Sequence, residues 1–114
     1  MQRYCMVLNV KPEQLADYRD VHARVWPDVL KRITDSQIRN YTIFLREPEN
    51  LLIGYYEYYG TDHAVDLAAI ANDPVTQRWW QLCEPMQLPL PSRAEGEWWA
   101  PTESIFQLEE QLEK

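Results

Sequence analysis

The fold is decided by residues 38–59, which read IRNYTIFLREPENLLIGYYEYY. Two runs rich in β-branched and aromatic residues, 38–45 and 51–59, flank the turn-forming stretch REPEN at 46–50. Apolar runs of this length on either side of a short turn are typical of two antiparallel strands. The segment therefore predicts a β-hairpin, and the remaining elements have to pack around it.

The residues before the hairpin predict one strand and one interrupted helix. Residues 4–10 form a compact β-prone run, and Pro12 stands where a first helical residue is expected. From there to about Arg32, apolar positions recur in steps of three and four, as on an amphipathic helix. Pro27 cannot donate a hydrogen bond to the carbonyl of Ala23, so we expect the helix to kink or restart near Trp26.

Two shorter helices and a last strand are predicted after the hairpin. Thr61-Asp62 caps a helix that reaches about Ala71, and Asp73 caps a second helix that starts at Pro74. Residues 85–97 carry three prolines and little periodicity, so we expect a wrapping loop there. Residues 98–108 are the candidate last strand, and the Glu-rich tail 109–114 is expected to fray.

The order of elements, β-α-β-β-α-β, is the ferredoxin-like pattern of the α+β class. We expect one domain over residues 1–114, because a chain of this length has room for a single core. Helices on one face of a four-stranded sheet leave the other face bare. Alternating Tyr and Ile on the hairpin make that face apolar, so we expect a second copy of the chain to cover it in a homodimer.

Composition excludes several classes of partner. Lys and Arg number 11 and Asp and Glu 18, for a net charge of −7, which repels nucleic acids and anionic membranes. Cys5 and Cys83 lie on apolar segments without a CxxC spacing, which favours free thiols in a reducing compartment. The sequence has neither a run of about 20 apolar residues nor a signal-peptide pattern, and we expect a cytoplasmic protein.

His22 is the strongest candidate for proton chemistry. Tyr18 and Trp26 are its neighbours four residues before and after, so on a continuous helix the three side chains would stack on one face. An imidazole between a phenol and an indole can serve as an acid–base group over a ring platform, or equally as a core histidine bonded to a backbone carbonyl. His63, beside a helix cap, is expected to be solvated surface.

Two tryptophan pairs are candidate sugar-binding groups. In Gln77-Arg78-Trp79-Trp80, adjacent rings point about 100° apart on a helix, so one could fill the core while the other lines a cavity. Indoles pack on the C–H face of a pyranose and donate a hydrogen bond to a hydroxyl. The pair Trp98-Trp99 is open to the same two interpretations, core packing or pocket wall.

Motifs for other chemistries are missing from the sequence. There is no glycine-rich phosphate loop, no Cys/His set at zinc spacing and no serine in a nucleophile elbow. We therefore expect chemistry without a metal or cofactor, of the kind that His, Tyr and carboxylates supply by proton transfer.

Several motifs together resemble the L-rhamnose mutarotase family. In chain order they are Tyr18-x3-His22-x3-Trp26-Pro27, Asn40-Tyr41, Asn50-Leu51-Leu52, Gln77-Arg78-Trp79-Trp80 and Glu103-Ser104-Ile105-Phe106-Gln107-Leu108. The resemblance spans nearly the whole chain. It departs at 35–39, which lacks a glycine often seen before the Asn-Tyr pair, and at 85–101, which is longer than in the shortest members.

This resemblance implies a dimeric α+β barrel and an isomerase that exchanges the anomers of a free aldose. It implies that His22 is the proton donor and that Tyr18, Tyr41, Trp79 and Trp80 bind the sugar, with Trp26, Trp98 and Trp99 as further candidates for the pocket wall. The partner base stays open between water and Tyr18, and the sugar between L-rhamnose, L-fucose and relatives. Two other functions also fit: a cofactor-free monooxygenase or lactone isomerase on the same fold, and a sugar-binding module without catalysis.

Overall fold

The computed structural model describes all 114 residues and is built on one antiparallel sheet. Its strands are β1 (Gln2–Val10), β2 (Ile38–Arg46), β3 (Leu51–Tyr58), β4 (Gln87–Leu88) and β5 (Ala100–Pro101). They lie in the order β2-β3-β1-β4, and β5 also pairs with β1. The helices are α1 (Leu15–Ala23), α2 (Pro27–Asp35), α3 (His63–Ala71), α4 (Pro74–Cys83) and α5 (Leu108–Leu112). The predicted α+β class and β-α-β-β-α-β order are confirmed. None of the helices has both the length and the hydropathy of a membrane span.

Each helix boundary follows from a local signal in the sequence. The predicted interruption at Pro27 is confirmed, because α1 ends at Ala23 and α2 starts at Pro27 itself. The Asp62 side chain accepts the Val65 N–H at 3.2 Å, and the Asp73 side chain accepts the Thr76 N–H at 2.9 Å. Both predicted caps are therefore in place, each satisfying a backbone donor that the first helical turn leaves free.

One face of the sheet packs against the helices and carries the core. Alternate residues of β3 are buried, as the period of two requires. Around Leu8 and Leu52, which are almost fully buried, cluster Val10, Tyr18 and Met86. A second cluster surrounds Tyr56 and Tyr58, and a third joins α2 to α4 through Val29, Trp79 and Cys83.

The opposite sheet face bears no helix; it is apolar at its centre, and Arg3, Arg39 and Glu57 form a charged row at one end of it. Strand register aligns Val7, Ile53 and Phe44 in one row across β1, β3 and β2. Phe44 leaves 57% of its surface exposed. The apolar face expected from the hairpin alternation is thus present only in the central part of the sheet.

The C-terminal third departs from the expectations. The fourth strand is not 98–108 but the two residues of β4, inside the segment expected to be loop, where the ring nitrogens of Pro85 and Pro89 limit the ladder on both sides. Only Ala100–Pro101 of the expected last strand pairs with β1, and the Thr102 N–H adds one further bond to the Cys5 carbonyl at 3.0 Å. The tail expected to fray forms α5, whose start is capped by the Gln107 side chain at 2.8 Å from the Glu110 nitrogen.

Candidate active site

The imidazole of His22 is held by the backbone of its own helix. Its Nδ1 lies 2.9 Å from the carbonyl oxygen of Tyr18, one turn earlier, and the ring stacks on the Tyr18 phenol at 4.0 Å between centroids. Because a carbonyl only accepts, Nδ1 carries a proton, and neutral His22 has its lone pair on Nε2. Nε2 makes no hydrogen bond to the protein. It is also not a fully buried atom without a partner, because the only such side-chain atom is Nε of Arg32. Nε2 is therefore free and accessible.

The edge of His22 faces an indole. The ring of Trp79 meets the imidazole at 5.3 Å in an edge-on arrangement and meets Trp26 at 5.2 Å in the same way. The predicted continuous stack of Tyr18, His22 and Trp26 is wrong for Trp26. Because α1 stops at Ala23, Trp26 lies beyond the helix and reaches His22 only through Trp79. Trp79, only 7% exposed, packs against both His22 of α1 and Trp26 just before α2.

A cavity of about 250 Å³ opens beside Tyr18 and His22. It lies between α1 and the hairpin, and Arg19 is its one charged wall. Its remaining lining residues are mostly apolar: Leu15, Ala23, Ile43, Phe44, Leu45 and Leu52. A hollow beside the histidine is thus present, but the paired tryptophans do not line it, contrary to the expected indole platform.

Tyr41 reaches the helix-facing side of the sheet through a β-bulge. The register of β2 against β3 shifts between Arg39 and Thr42, so Asn40 and Tyr41 together lie opposite Tyr56. Asn40 takes the left-handed conformation at φ 54°, which Asn tolerates better than most residues. A bulge of this kind re-aims a side chain. The ring of Tyr41 consequently lies 5.5 Å from that of Tyr56, whereas strict alternation from Ile38 would point it to the other face.

Three phenols lie near one another, and one of them, Tyr18, lines the cavity. Although 37% of the surface of Tyr41 is exposed, desolvation by its neighbours and then the nearby phenols of Tyr18 and Tyr56 raise its pKa. Burial also raises the pKa of Tyr18 and of Tyr56, each to about 12. All three hydroxyls therefore stay protonated at neutral pH and act as hydrogen-bond donors. Burial lowers the pKa of His22 from its ordinary 6.5, partly offset by the Tyr18 carbonyl, so the neutral imidazole predominates at pH 7.

The other tryptophans lie apart from His22. Trp80 projects outward from α4 with 38% of its surface exposed, so of the pair only Trp79 lies against the imidazole. Trp99 packs on the core beneath Tyr18, and its ring lies 3.4 Å from where a Cβ on Gly54 would stand. Trp98 borders a separate open concavity of about 550 Å³ within residues 91–98, whose charged lining residues are Arg93, Glu95 and Glu97.

His63 is half-buried, which corrects the expectation of a solvated surface residue. Its Nε2 lies 2.7 Å from the Tyr56 hydroxyl, and its ring stacks on Tyr4 at 4.0 Å. Tyr58 closes the edge of the ring at 4.9 Å. The expectation failed because a position next to a helix cap says nothing about the strand side chains that pack on it.

One polar residue of the site gave no signal in the sequence. Gln87 is buried, and its amide lies between the Tyr18 hydroxyl, at 3.2 Å, and the Trp98 indole nitrogen, at 2.7 Å. Its position followed neither from periodicity nor from a motif, since it belongs to the short strand β4 within the expected loop. Around the site, no three His, Cys, Asp or Glu side chains converge as a metal site would require.

Comparison with known proteins identifies the family of this chain. The L-rhamnose mutarotase family matches residues 3–108. The chain belongs to the L-rhamnose mutarotase family. An L-rhamnose mutarotase of Pectobacterium carotovorum is 35% identical over 71% of this chain and 75% of its own length, and one of Jannaschia sp. is 32% identical over 70% and 74%.

Solved structures carry the same fold. The L-rhamnose mutarotase FA22100 of Formosa agariphila superposes with a TM-score of 0.76 at 20% identity, over 95% of this chain and 99% of its own. Tetracenomycin F2 cyclase of Streptomyces glaucescens, a type-II polyketide cyclase, superposes with a TM-score of 0.70 at 17% identity, over 94% and 96%. At these identities the likeness concerns the fold, which a mutarotase and a cyclase share. The family assignment therefore rests on the sequence matches, and the expected mutarotase resemblance is confirmed.

Proposed function

We propose that this chain is an isomerase that interconverts the α and β anomers of L-rhamnose, with His22 as its acid–base residue. The observation that carries the proposal is the free Nε2 of His22 beside a cavity, while Nδ1 is tied to the Tyr18 carbonyl. Family membership and the names of the relatives support the reaction and the sugar. One such acid–base group typically accelerates a reaction by about 10²–10⁴.

Anomer exchange requires two proton movements in each direction. Opening of the pyranose adds a proton to the ring oxygen and removes one from the anomeric hydroxyl, and closure on the other face reverses both. We assign the ring-oxygen proton to Nε2 of His22 in its imidazolium form, which donates the proton on opening and takes it back from the new hydroxyl on closure. The lowered pKa makes the imidazolium a stronger acid towards the ring oxygen, while leaving it the minor form at pH 7.

The phenols and Trp79 are assigned to sugar binding. Tyr18 and Tyr41 keep their protons at neutral pH and would donate hydrogen bonds to sugar oxygens, which argues against Tyr18 as the partner base and favours water. Trp79 is 7% exposed and does not line the cavity, so it would contact the sugar only where its ring adjoins His22. Trp80, exposed on α4, would contact the sugar only from outside the cavity. Trp26, Trp98 and Trp99 would contribute by packing against the residues that bind the sugar.

The experiment is anomer exchange of a small aldose panel, followed by saturation-transfer NMR with and without protein. We expect acceleration for L-rhamnose, and the same run with L-fucose and other aldoses ranks the substrates. Binding of L-rhamnose without faster exchange would indicate a sugar-binding module instead. Binding of polycyclic aromatics with no effect on any sugar would indicate the cofactor-free monooxygenase or lactone isomerase.

The homodimer and the compartment are also proposals. The apolar row of Val7, Ile53 and Phe44 supports a dimer through the open sheet face, because a surface of this kind gains by leaving water. Sedimentation equilibrium would show a dimer mass, and a monomer mass at every concentration contradicts it. Two free cysteines support a cytoplasmic location, which fractionation of expressing cells would test.

A further inference from the structure

The amide of Gln87 lies in the interior between two hydrogen-bonding rings. Its Oε1 is 2.7 Å from Nε1 of Trp98, and its Nε2 is 3.2 Å from the hydroxyl oxygen of Tyr18. Gln87 is only 7% exposed, and its backbone belongs to β4, which pairs with Val10 of β1. The side chain is thus anchored on the sheet and has little freedom to choose other partners.

The donor and acceptor roles in this chain of contacts are forced. An indole N–H can only donate, so the atom of Gln87 that faces Trp98 has to be the carbonyl oxygen. The amide NH₂ then faces Tyr18, and the Tyr18 oxygen has to accept. A phenol that accepts from Gln87 still has its own O–H to donate. No protein group receives that proton, and the cavity beside His22 is lined by Tyr18.

We propose that Gln87, oriented by Trp98, is a positioning residue that makes the Tyr18 hydroxyl a hydrogen-bond donor to a sugar oxygen. This inference rests on the proposed function, and it assigns a direction to the hydrogen bond between Tyr18 and the sugar. With the Gln87 amide donating to its oxygen, the Tyr18 hydroxyl presents its own O–H to the ligand. The proposal also assigns a role to the 85–101 segment, because Trp98 acts on the site through the buried amide of Gln87.

The variant Gln87→Glu tests the polarity directly. The ionised carboxylate of this variant accepts from Trp98 with one oxygen and from Tyr18 with the other, so the Tyr18 proton turns away from the sugar. We expect kcat/KM for anomer exchange to fall about tenfold at pH 8, the size of one lost hydrogen bond. Gln111→Glu, on the exposed tail, adds the same charge and should leave the rate unchanged.

Three comparisons separate positioning from a merely structural effect. In the Tyr18→Phe background, Gln87→Glu should cause no further loss, because its effect passes through the missing hydroxyl. The ratio of Gln87→Glu to wild-type activity should rise as the pH falls and the carboxyl regains a proton that it can donate to Tyr18. Trp98→Phe lets the amide turn over, and about a threefold loss is expected even if Gln87→Glu does not fold.

The outcomes are separable from those of the proposed function. If the wild-type protein does not accelerate exchange, the proposed function fails. If the wild type is active and Gln87→Glu equals it at pH 8, the positioning role is overturned. An undiminished loss in the Tyr18→Phe background also overturns it, because the effect would then bypass Tyr18.

Discussion

The two histidines have similar surroundings and opposite hydrogen bonding. Each is half-buried with a pKa lowered first by burial, and each stacks on a tyrosine ring at 4.0 Å, Tyr18 for His22 and Tyr4 for His63. In His22 the bonded nitrogen is Nδ1 and Nε2 is free beside a cavity, whereas in His63 Nε2 is occupied by the Tyr56 hydroxyl. Aromatic stacking and burial therefore do not mark an acid–base residue. The free nitrogen beside an open space does.

The largest effect should come from removing one histidine and not the other. His22→Gln deletes the nitrogen that carries the proton, and we expect anomer exchange to fall by about 10²–10⁴. His63→Gln is the matched control, because the same substitution in the second cluster should retain most of the exchange rate. Saturation-transfer NMR measures both, with circular dichroism to check the fold. Wild-type exchange in the His22 variant would remove that residue from the mechanism.

Tyr41 lies between the two clusters, and the bulge that places it can be tested separately. Asn40→Val puts a β-branched residue at φ 54°, which costs about 1–3 kcal/mol of folding free energy and turns Tyr41 away. Asn40→Gly accepts this conformation and also lacks the amide that bonds Glu57, so it controls for that contact. Urea unfolding should show the loss for Val alone, with a raised KM for the sugar. Equal behaviour of the two variants would refute the bulge as the cause.

The hairpin and the helices were predictable because their signals are local. Alternating side chains fixed the strands of 38–59, and Asp62, Asp73 and Pro27 set the helix boundaries. The bulge at Asn40 was missed, since one extra residue leaves the composition of a strand unchanged. An asparagine ahead of a tyrosine within the run was its only signal.

The site was only partly predictable because it depends on distant contacts. His22 and Tyr18 came together through one helical turn, but Gln87 meets Tyr18 across 69 positions of the chain. The length of β4 and the direction of Trp80 depend on pairing and packing with other elements. No periodicity within their own segments could supply that information.

The smallest effect, and the one that both histidines share, concerns stability against pH. Each has a folded pKa below its ordinary 6.5, so between the two values the unfolded chain binds a proton that the folded chain does not. The free energy of unfolding should therefore fall as the pH drops from 7 towards 5, by about 1.4 kcal/mol for each pH unit separating the two pKa values and less for a half-exposed ring. Urea titrations at pH 7, 6 and 5 measure it. His22→Gln and His63→Gln should each flatten this dependence, and the double variant should flatten it most. Burial lowers the pKa of both rings, even though only His22 has its Nε2 free. A wild-type stability that rises on acidification, or single variants as steep as the wild type, would show that burial is not what the two sites have in common.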